Sequence, residues 1–411
     1  MNRRAFVAAA ALGLILRLAF GLWYWVDKPL SRDEREYLSL ARSLAAGRGF
    51  VYDEHVAAAT SDPFGRAPGY PVFLAIAGGG GAATAVVPVL VKVTQSVIGG
   101  LGVLLIGVIA YRLAGPRAGM MTAFLAAVYP PLVWIAAYAF SEAVFWPLGL
   151  LVVWLFDRAL EPGSHAVRRG WLAGLAAGVA VLVRPGTLLF LVLAGAWLLA
   201  RRRTALLAGL ALGTVLVLMP WTIRNALHHG RLVMVASEGG VTFWTGNHPR
   251  AIGEGDLNAN PHLKIEAQAL RARHPDLTEE AMEPVYYREA FAWIVSHPLD
   301  WLALEARKVF YLIVPIGPSY WLHSTRYVIA SIASYGVILL LAIGGLLRLR
   351  GRFHRAPGLW LLAGSAVLAC LVFFPQERFR IPVIDPALIV CAGAGLALRR
   401  SAAAREAPAR S

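Results

Sequence analysis

Residues 5–34, AFVAAAALGLILRLAFGLWYWVDKPLSRDE, decide the fold, because a long apolar run in them ends in an acidic pair. Residues 5–26 carry a single charge, Arg17, and are long enough for a membrane-spanning helix, which needs about 20 apolar residues. Asp33 and Glu34 follow just beyond the predicted membrane boundary. An acidic pair at a membrane surface is typical of a reaction site, whereas transporters more often carry their acids near mid-membrane. The stretch therefore predicts a membrane protein with its chemistry at one face.

The rest of the chain repeats this apolar pattern. Of the 411 residues, 58% are hydrophobic, and the mean hydropathy is +0.60. Soluble domains contain roughly 45–50% apolar residues, so we predict an all-α polytopic membrane protein, a helix bundle of about ten spans. The predicted spans lie near 5–26, 86–111, 118–138, 143–157, 170–184, 185–200, 204–221, 327–347, 357–375 and 382–398. Residues 299–316 contain four charged residues and are predicted to form an amphipathic helix at the membrane surface, an eleventh span being the alternative.

The net charge of +15 lies on one side of the predicted membrane. Both termini and alternate connections hold eighteen arginines against three acids, an excess equal to the whole net charge. The two long loops, 27–85 and 221–326, are near neutral. Because basic residues favour the cytoplasmic side, we predict one transmembrane domain (1–398) with both long loops outside and a short cytoplasmic tail (399–411). Arginines placed on short membrane loops also indicate that nucleic acid is not a partner.

Three acidic residues are candidates for catalysis. Asp33 and Glu34 lie in the first outside loop, and Glu142 lies at the outer end of spans three and four. Carboxylates at a water–membrane boundary can act as a general base or hold a divalent metal ion. The alternatives are a solvated turn for Asp33 and Glu34, and a helix start capped by Ser141 for Glu142.

Basic residues on the predicted outer side oppose the charge trend of the rest of the chain. They are Arg66, Arg184, Arg224, Arg378 and Arg380, with Lys92 inside the second span. Guanidinium groups bind phosphate through bidentate, charge-assisted hydrogen bonds, so the set predicts an anionic partner. The alternative for each arginine is a side chain that extends from a helix end to water, and for Lys92 an ion pair with Glu142.

No other catalytic motif is evident in the sequence. It contains no phosphate-binding Walker loop, dinucleotide fingerprint or Gly-x-Ser-x-Gly elbow. Cys370 and Cys391 both lie in apolar spans, which favours core positions over a disulfide or a metal site.

Taken in order, the motifs resemble the GT-C superfamily of membrane glycosyltransferases, in particular the bacterial branch that groups protein O-mannosyltransferase-like enzymes with the lipid A aminoarabinose transferase. The likeness covers nearly the whole chain. The matching elements are Asp33-Glu34-x-x-Tyr37, Arg66-x-Pro68-Gly69-Tyr70-Pro71, Ser141-Glu142, Arg184-Pro185, Pro220-Trp221-x-x-Arg224-Asn225, Gly246-Asn247, His297-Pro298 and Glu377-Arg378-Phe379-Arg380-x-Pro382.

The resemblance implies an inverting glycosyltransferase of the bacterial cytoplasmic membrane. Its donor would be a sugar linked to polyprenyl phosphate, its acceptor a lipid, polysaccharide or protein, and its site the outer face of the bilayer. Asp33 would be the general base, and Glu34 and Glu142 would orient the acceptor or bind a divalent ion. The residues implied to bind the donor phosphate are Arg66, Arg184, Arg378, Arg380 and Lys92. The residues implied to shape the substrate site are Tyr37, Tyr70, Arg224 and Asn247.

Two other functions remain open at this point. One is a polytopic transporter or a flippase for lipid carriers, and the other is an assembly protein of an envelope complex. A transporter would favour acids and broken helices near mid-membrane, often with paired repeats, whereas here the charges collect at one face. An assembly protein would not need acids and arginines at matching span ends.

Overall fold

The computed structural model describes residues 3–53, 56, 66–163, 165–314, 316–318 and 323–406. Within these ranges the chain forms helices and no strand, which confirms the all-α prediction. In chain order the α-helices are α1 (Arg3–Ala19), α2 (Arg32–Ala45), α3 (Gly69–Leu74), α4 (Val89–Ala114), α5 (Pro116–Val128), α6 (Pro130–Trp134), α7 (Glu142–Ala159), α8 (Ala166–Val183), α9 (Thr187–Ala200), α10 (Thr204–His229), α11 (Gly239–Gly246), α12 (Pro261–Ala272), α13 (Glu279–Ser296), α14 (Pro298–Ile313), α15 (Thr325–Leu349), α16 (Pro357–Val372), α17 (Glu377–Arg380) and α18 (Ile384–Glu406).

The long apolar helices make this chain a polytopic membrane protein. Among the described residues, five helices are long and apolar enough to cross a bilayer: α1 with its π-helical extension to Tyr24, α4, α8, α10 and α15. A bent pair, Pro116–Val128 with Pro130–Ala137, is a sixth candidate, and shorter apolar helices lie at Gly69–Gly79, Thr187–Ala200, Pro357–Val372 and Ile384–Leu398. These helices coincide with most of the predicted spans, and the number of spans stays a prediction.

Two predicted boundaries differ from the structure. The span predicted at 118–138 is broken after Val128 and bends by 64°, because a residue that precedes a proline disfavours the helical conformation and Pro130 and Pro131 follow here. The helix that contains the span predicted at 204–221 is longer than that span, because α10 continues through Pro220 to His229. Membrane helices tolerate proline, so Pro220 is not a reliable helix end.

Glycines allow α8 and α10 to pack with their backbones in contact. The glycines at this interface are Gly170, Gly174 and Gly178 of α8, and Gly209 and Gly213 of α10. A Cβ atom at Gly174 would lie 2.2 Å from the carbonyl oxygen of Leu210. Small residues at four-residue spacing permit this close packing, which drives helix association in lipid. The interface fixes the end of α8 and therefore the position of Arg184, the residue that follows it.

The second long loop that the sequence predicts, residues 221–326, contains a small hydrophobic core of its own. Helices α11, α12 and α13 surround Trp244, Leu263 and Met282, all of them buried. The segment predicted as a surface helix is α14, with Lys308 buried on one face and Leu299 78% exposed. An apolar exposed face suits a helix at the membrane surface, and the placement of α14 relative to the bilayer stays a prediction.

Gly174→Ala is expected to destabilise the protein by about 1–3 kcal/mol, because the new methyl group would overlap the backbone of α10. Unfolding of the purified protein by heat or denaturant in detergent measures the change. Gly336→Ala in α15 is the matched control, since a Cβ atom there meets nothing within 4 Å. Equal stability of the two variants would contradict the role of the glycine interface.

Candidate active site

The candidate site begins at the first turn of α2. The Ser31 hydroxyl accepts a hydrogen bond from the Glu34 amide at 3.4 Å, and the Glu34 carboxylate accepts one from the Ser31 amide at 2.8 Å. This reciprocal capping box fixes where the helix starts. Asp33 therefore lies in the first turn, where the positive end of the helix dipole favours a carboxylate.

Asp33 is bound by two arginines from distant parts of the chain. Its Oδ1 accepts a hydrogen bond from Nη2 of Arg66 at 2.7 Å, and its Oδ2 accepts one from Nη1 of Arg378 at 2.5 Å. Arg66 also donates to Glu36, one helical turn after Asp33, at 2.6 Å, and its Nη1 lies 3.7 Å from Glu238. The two guanidinium groups thus hold the carboxylate of Asp33 between them.

Glu142 extends this arrangement to two further helices. Its Oε1 lies 2.6 Å from Nη1 of Arg184 and 3.9 Å from Nε of Arg378. The ionic network, as we call it, therefore alternates in charge in the order Glu36, Arg66, Asp33, Arg378, Glu142, Arg184. Its members lie at the start of α2, before α3, at the start of α7, after α8 and in α17. These helix ends therefore meet at one end of the bundle, which agrees with the predicted topology.

Aromatic rings line the arginines of the ionic network. The ring of Phe379 lies 5.1 Å from the guanidinium carbon of Arg184 and 5.3 Å from that of Arg378. The ring of Tyr37 lies 5.0 Å from that of Arg66. Cation–π contacts of this kind stabilise a guanidinium away from bulk water. They also limit the directions in which each arginine can point.

The arginines control the protonation of Asp33. Burial alone would raise the pKa of Asp33, but the positive charges of Arg378 and Arg66 outweigh burial and hold the pKa of that carboxyl well below its usual range. Asp33 is therefore ionised at neutral pH. While both arginines bind it, Asp33 is a weak base, and it becomes a stronger one when either arginine turns away.

Glu34 faces the backbone rather than the ionic network. Its Oε1 accepts a hydrogen bond from the buried amide of Ala139 at 3.0 Å, while its other oxygen completes the capping box. Burial raises the pKa of Glu34, and the hydrogen bonds from Ser31 and Ala139 oppose that rise. Glu34 thus ties α2 to the segment before α7, and its predicted role at the acceptor is not supported by its contacts.

Lys92 and Arg380 also lie apart from the ionic network. Lys92 donates to the carbonyl oxygen of Trp25 at 2.6 Å, where it closes the end of the first span. Arg380 is 3% exposed and donates to Asp385 at 2.8 Å. Both side chains thus bind partners outside the ionic network, and the phosphate-binding role that the sequence predicts for them stays a prediction.

Two of the four residues predicted to shape the substrate site, Tyr70 and Asn247, bind within the fold. The Tyr70 hydroxyl is buried and donates to Gln95 at 2.7 Å. The buried Asn247 donates to the carbonyl oxygens of Phe243 and Val372 at 2.9 Å. Arg224 stacks on Trp221, 4.9 Å from the ring centre, at the end of α10. Tyr37 is the one of the four that contacts a network arginine.

Sequence reasoning missed Glu36 and Phe379 as members of the site. Glu36 stands three residues after Asp33, a spacing that places two side chains on one helix face, so the signal was present. Phe379 lies between Arg378 and Arg380, which the sequence predicts as site residues, but its contact with Arg184 depends on the tertiary fold.

The three predicted metal ligands each face partners other than a common metal position. Asp33 faces two arginines, Glu34 faces backbone amides, and Glu142 faces Arg184. Within the described part of the chain, no group of three or more histidine, cysteine, aspartate or glutamate side chains is arranged to hold a metal ion. Divalent ions require several free oxygen ligands, so the residues present do not fit such an ion.

Solved structures similar to this chain include those of an archaeal oligosaccharyltransferase. The oligosaccharyltransferase of Archaeoglobus fulgidus, tethered to an acceptor peptide containing the NVT sequon, gives a TM-score of 0.59 at 15% identity, covering 97% of this chain and 49% of that one. The same enzyme, AglB, in complex with an inhibitory peptide and a dolichol-phosphate gives 0.53 at 14% identity, covering 99% and 52%. Its complex with Zn and sulfate gives 0.57 at 14% identity, covering 97% and 49%.

ArnT from Cupriavidus metallidurans bound to undecaprenyl phosphate is a weaker match, with a TM-score of 0.43 at 15% identity, covering 97% of this chain and 78% of that one. No protein-family model matches the sequence, and neither does any curated protein. This chain spans about half the length of the oligosaccharyltransferase. The chain has a GT-C-like fold, as the sequence predicts.

Glu34→Ala is expected to lower the stability of the protein by about 1–3 kcal/mol, since the buried amide of Ala139 would lose its acceptor. Thermal unfolding in detergent measures the loss. Asp300→Ala is the matched control, because Asp300 is also an acid in the first turn of a helix, α14, but is exposed. If the two variants unfold alike, the structural assignment of Glu34 is wrong.

Proposed function

We propose that this protein is an inverting glycosyltransferase that moves a sugar from a polyprenyl-phosphate donor to an acceptor. The observation that carries the proposal is Asp33, held between Arg66 and Arg378 at one end of a GT-C-like bundle. A carboxylate can take the proton of an attacking hydroxyl or amine, and adjacent guanidiniums can stabilise a phosphate as it leaves. Both chemical requirements of sugar transfer from a lipid phosphate thus meet at one position.

The position of the site favours a donor carried on a lipid. The charge pattern predicts that the ionic network faces the outside of the cytoplasmic membrane, whereas nucleotide sugars are cytoplasmic. A polyprenyl chain would lie among the apolar helices, with its phosphate near the arginines. The fold neighbour AglB has been solved in complex with a dolichol-phosphate, which supports a donor of this class.

The proposed reaction is a single displacement. The acceptor oxygen or nitrogen forms a bond to the anomeric carbon while the bond from that carbon to the phosphate oxygen breaks. The electron pair leaves with the polyprenyl phosphate, and the acceptor proton passes to Asp33. Attack on the side opposite the phosphate inverts the configuration at the anomeric carbon of the sugar.

The two paired arginines link donor binding to the strength of the base. Arg378 lies between Asp33 and Glu142, so a phosphate that draws its guanidinium away removes one of the two charges that lower the pKa of Asp33. Asp33 becomes a better proton acceptor when the donor is in place. Arg184, 2.6 Å from Glu142, supplies a second guanidinium to the phosphate.

The proposal places residues 1–398 in one catalytic membrane domain of the bacterial cytoplasmic membrane. The acceptor is a lipid, a polysaccharide or a protein, and an acceptor assay separates these classes. A transporter or flippase is less consistent with the site, because its charged residues gather at one end of the bundle rather than midway along the spans.

Asp33→Asn is expected to abolish release of polyprenyl phosphate, because an amide cannot accept the proton of the acceptor. The assay offers a panel of polyprenyl-phosphate sugars to the purified protein and measures the released lipid phosphate. Glu266→Gln is the matched control, since Glu266 is also an outside acid paired with an arginine, Arg250 at 3.0 Å, but is not in the ionic network.

Turnover of Asp33→Asn close to wild type would disprove the base assignment. A wild-type protein that binds the donors but releases nothing, with each class of acceptor present, would favour transport.

Release is expected to persist in excess EDTA, because the arginines of the ionic network already supply positive charge for the leaving phosphate. The measurement compares release before chelation, after chelation and after adding back Mg²⁺ or Mn²⁺. A loss that either ion restores would show that a divalent ion takes part and that the carboxylates rearrange to bind it.

A further inference from the structure

The short helix α17 carries its charged residues on two faces. Arg378 and Phe379 contact the ionic network, where Arg378 donates to Asp33. Glu377 and Arg380 stand three residues apart and therefore share the other face of the turn. The Arg378 side chain is 36% exposed, whereas that of Arg380 is 3% exposed. The two arginines thus have different surroundings although they are two residues apart.

Glu377 is bound to α15 by two hydroxyl groups. Tyr327 donates to Oε2 of Glu377 at 3.1 Å, and Ser331 donates to Oε1. One helical turn further along, the ring of Tyr335 lies 3.5 Å from the guanidinium carbon of Arg380. The spacing of four residues places these three α15 side chains in one stripe, which lies along the inner face of α17.

Arg380 is also bound to α18 through a buried ion pair. Its Nε donates to Oδ1 of Asp385 at 2.8 Å, and the Tyr129 hydroxyl donates to Oδ2 of the same carboxylate at 2.7 Å. Asp385 is fully buried, and Tyr129 stands at the bend after α5. A buried pair of this kind needs exact partners because unpaired charges are costly. The contact therefore fixes α17 relative to α5 and α18.

A single turn of helix cannot hold its shape alone. Four residues close too few hydrogen bonds to offset the cost of nucleation, so the geometry of α17 depends on its tertiary contacts. Its anchors on the face away from the ionic network are Glu377 on α15 and Arg380 on both α15 and α18. Together with the contacts of Phe379, these anchors set the direction of Arg378.

We infer that Glu377, Arg380 and Asp385 are positioning residues that keep Arg378 beside Asp33 and within reach of the donor phosphate, an inference that rests on the proposed function. Arg380 acts through Arg378 and does not itself bind the donor phosphate. Tyr327, Ser331 and Tyr335 of α15 support these positioning residues through their contacts with α17. Loss of these contacts lowers turnover because Arg378 is displaced.

The test is a double-mutant cycle on release of polyprenyl phosphate. Tyr327→Phe with Ser331→Ala removes the two hydroxyl donors to Glu377 with little change in volume. A small misplacement of a catalytic group reduces rates by about ten- to a hundredfold, and we expect a loss of that size in the wild-type background. In the Arg378→Gln background we expect less than about a twofold further loss, since coupled residues are not additive.

The matched control is Tyr311→Phe with Ser365→Ala, which removes one outside hydroxyl and one buried hydroxyl from helices α14 and α16. We expect the control to keep wild-type turnover. Equal fold losses from the Tyr327 and Ser331 changes in both backgrounds would show a general effect on stability and would overturn the inference.

A second measurement separates this inference from the proposed function. Asp33→Cys and Arg378→Cys are introduced with Cys370→Ala and Cys391→Ala, and a short bifunctional thiol reagent joins the two new thiols. The ion pair between positions 33 and 378 is then absent, so the distance between them depends on the remaining contacts of α17, which include its anchors on α15 and α18. We expect the Tyr327 and Ser331 changes to slow cross-linking several-fold. Unchanged cross-linking overturns the positioning device, whereas an inactive wild-type protein overturns the proposed function alone.

Discussion

The rest of the site depends on the cost of holding charged groups at the edge of an apolar bundle. A carboxylate or guanidinium removed from water is stable only when it is paired and hydrogen-bonded. Here positive and negative side chains alternate, so that Arg66, Asp33, Arg378 and Glu142 each lie against a group of opposite charge. Each helix end that contributes a charge is fixed by the charge that another helix end supplies.

The packing of the bundle serves the same constraint. Arg184 reaches Glu142 because the last turn of α8 lies near Glu142. The glycine contacts between α8 and α10 hold α8 in that position. Arg378 reaches Asp33 because α17 is bound to α15 and α18. The ionic network is therefore positioned by close packing of helix backbones and by polar contacts of α17 that lie outside the network.

The network also separates two roles that neighbouring residues share in the sequence. Asp33 and Glu34 are adjacent, yet one faces two arginines and the other faces backbone amides. Arg378 and Arg380 are two residues apart, yet the side chain of Arg378 is partly exposed and that of Arg380 is buried. In both pairs the division follows from the direction in which a helical turn points each side chain.

The sequence by itself determined the all-α membrane class and the set from which the site is drawn, including Asp33, Glu142, Arg66, Arg184 and Arg378. Hydrophobic run length and charge bias are local properties, and they can be recognised without a fold. Only the tertiary structure decided that Glu34, Lys92 and Arg380 bind elsewhere, because a carboxylate, an ammonium or a guanidinium pairs with whichever partner the packing brings near. The break after Val128 and the helix through Pro220 were decided in the same way, since proline weakens a helix and the surrounding helices determine whether it ends.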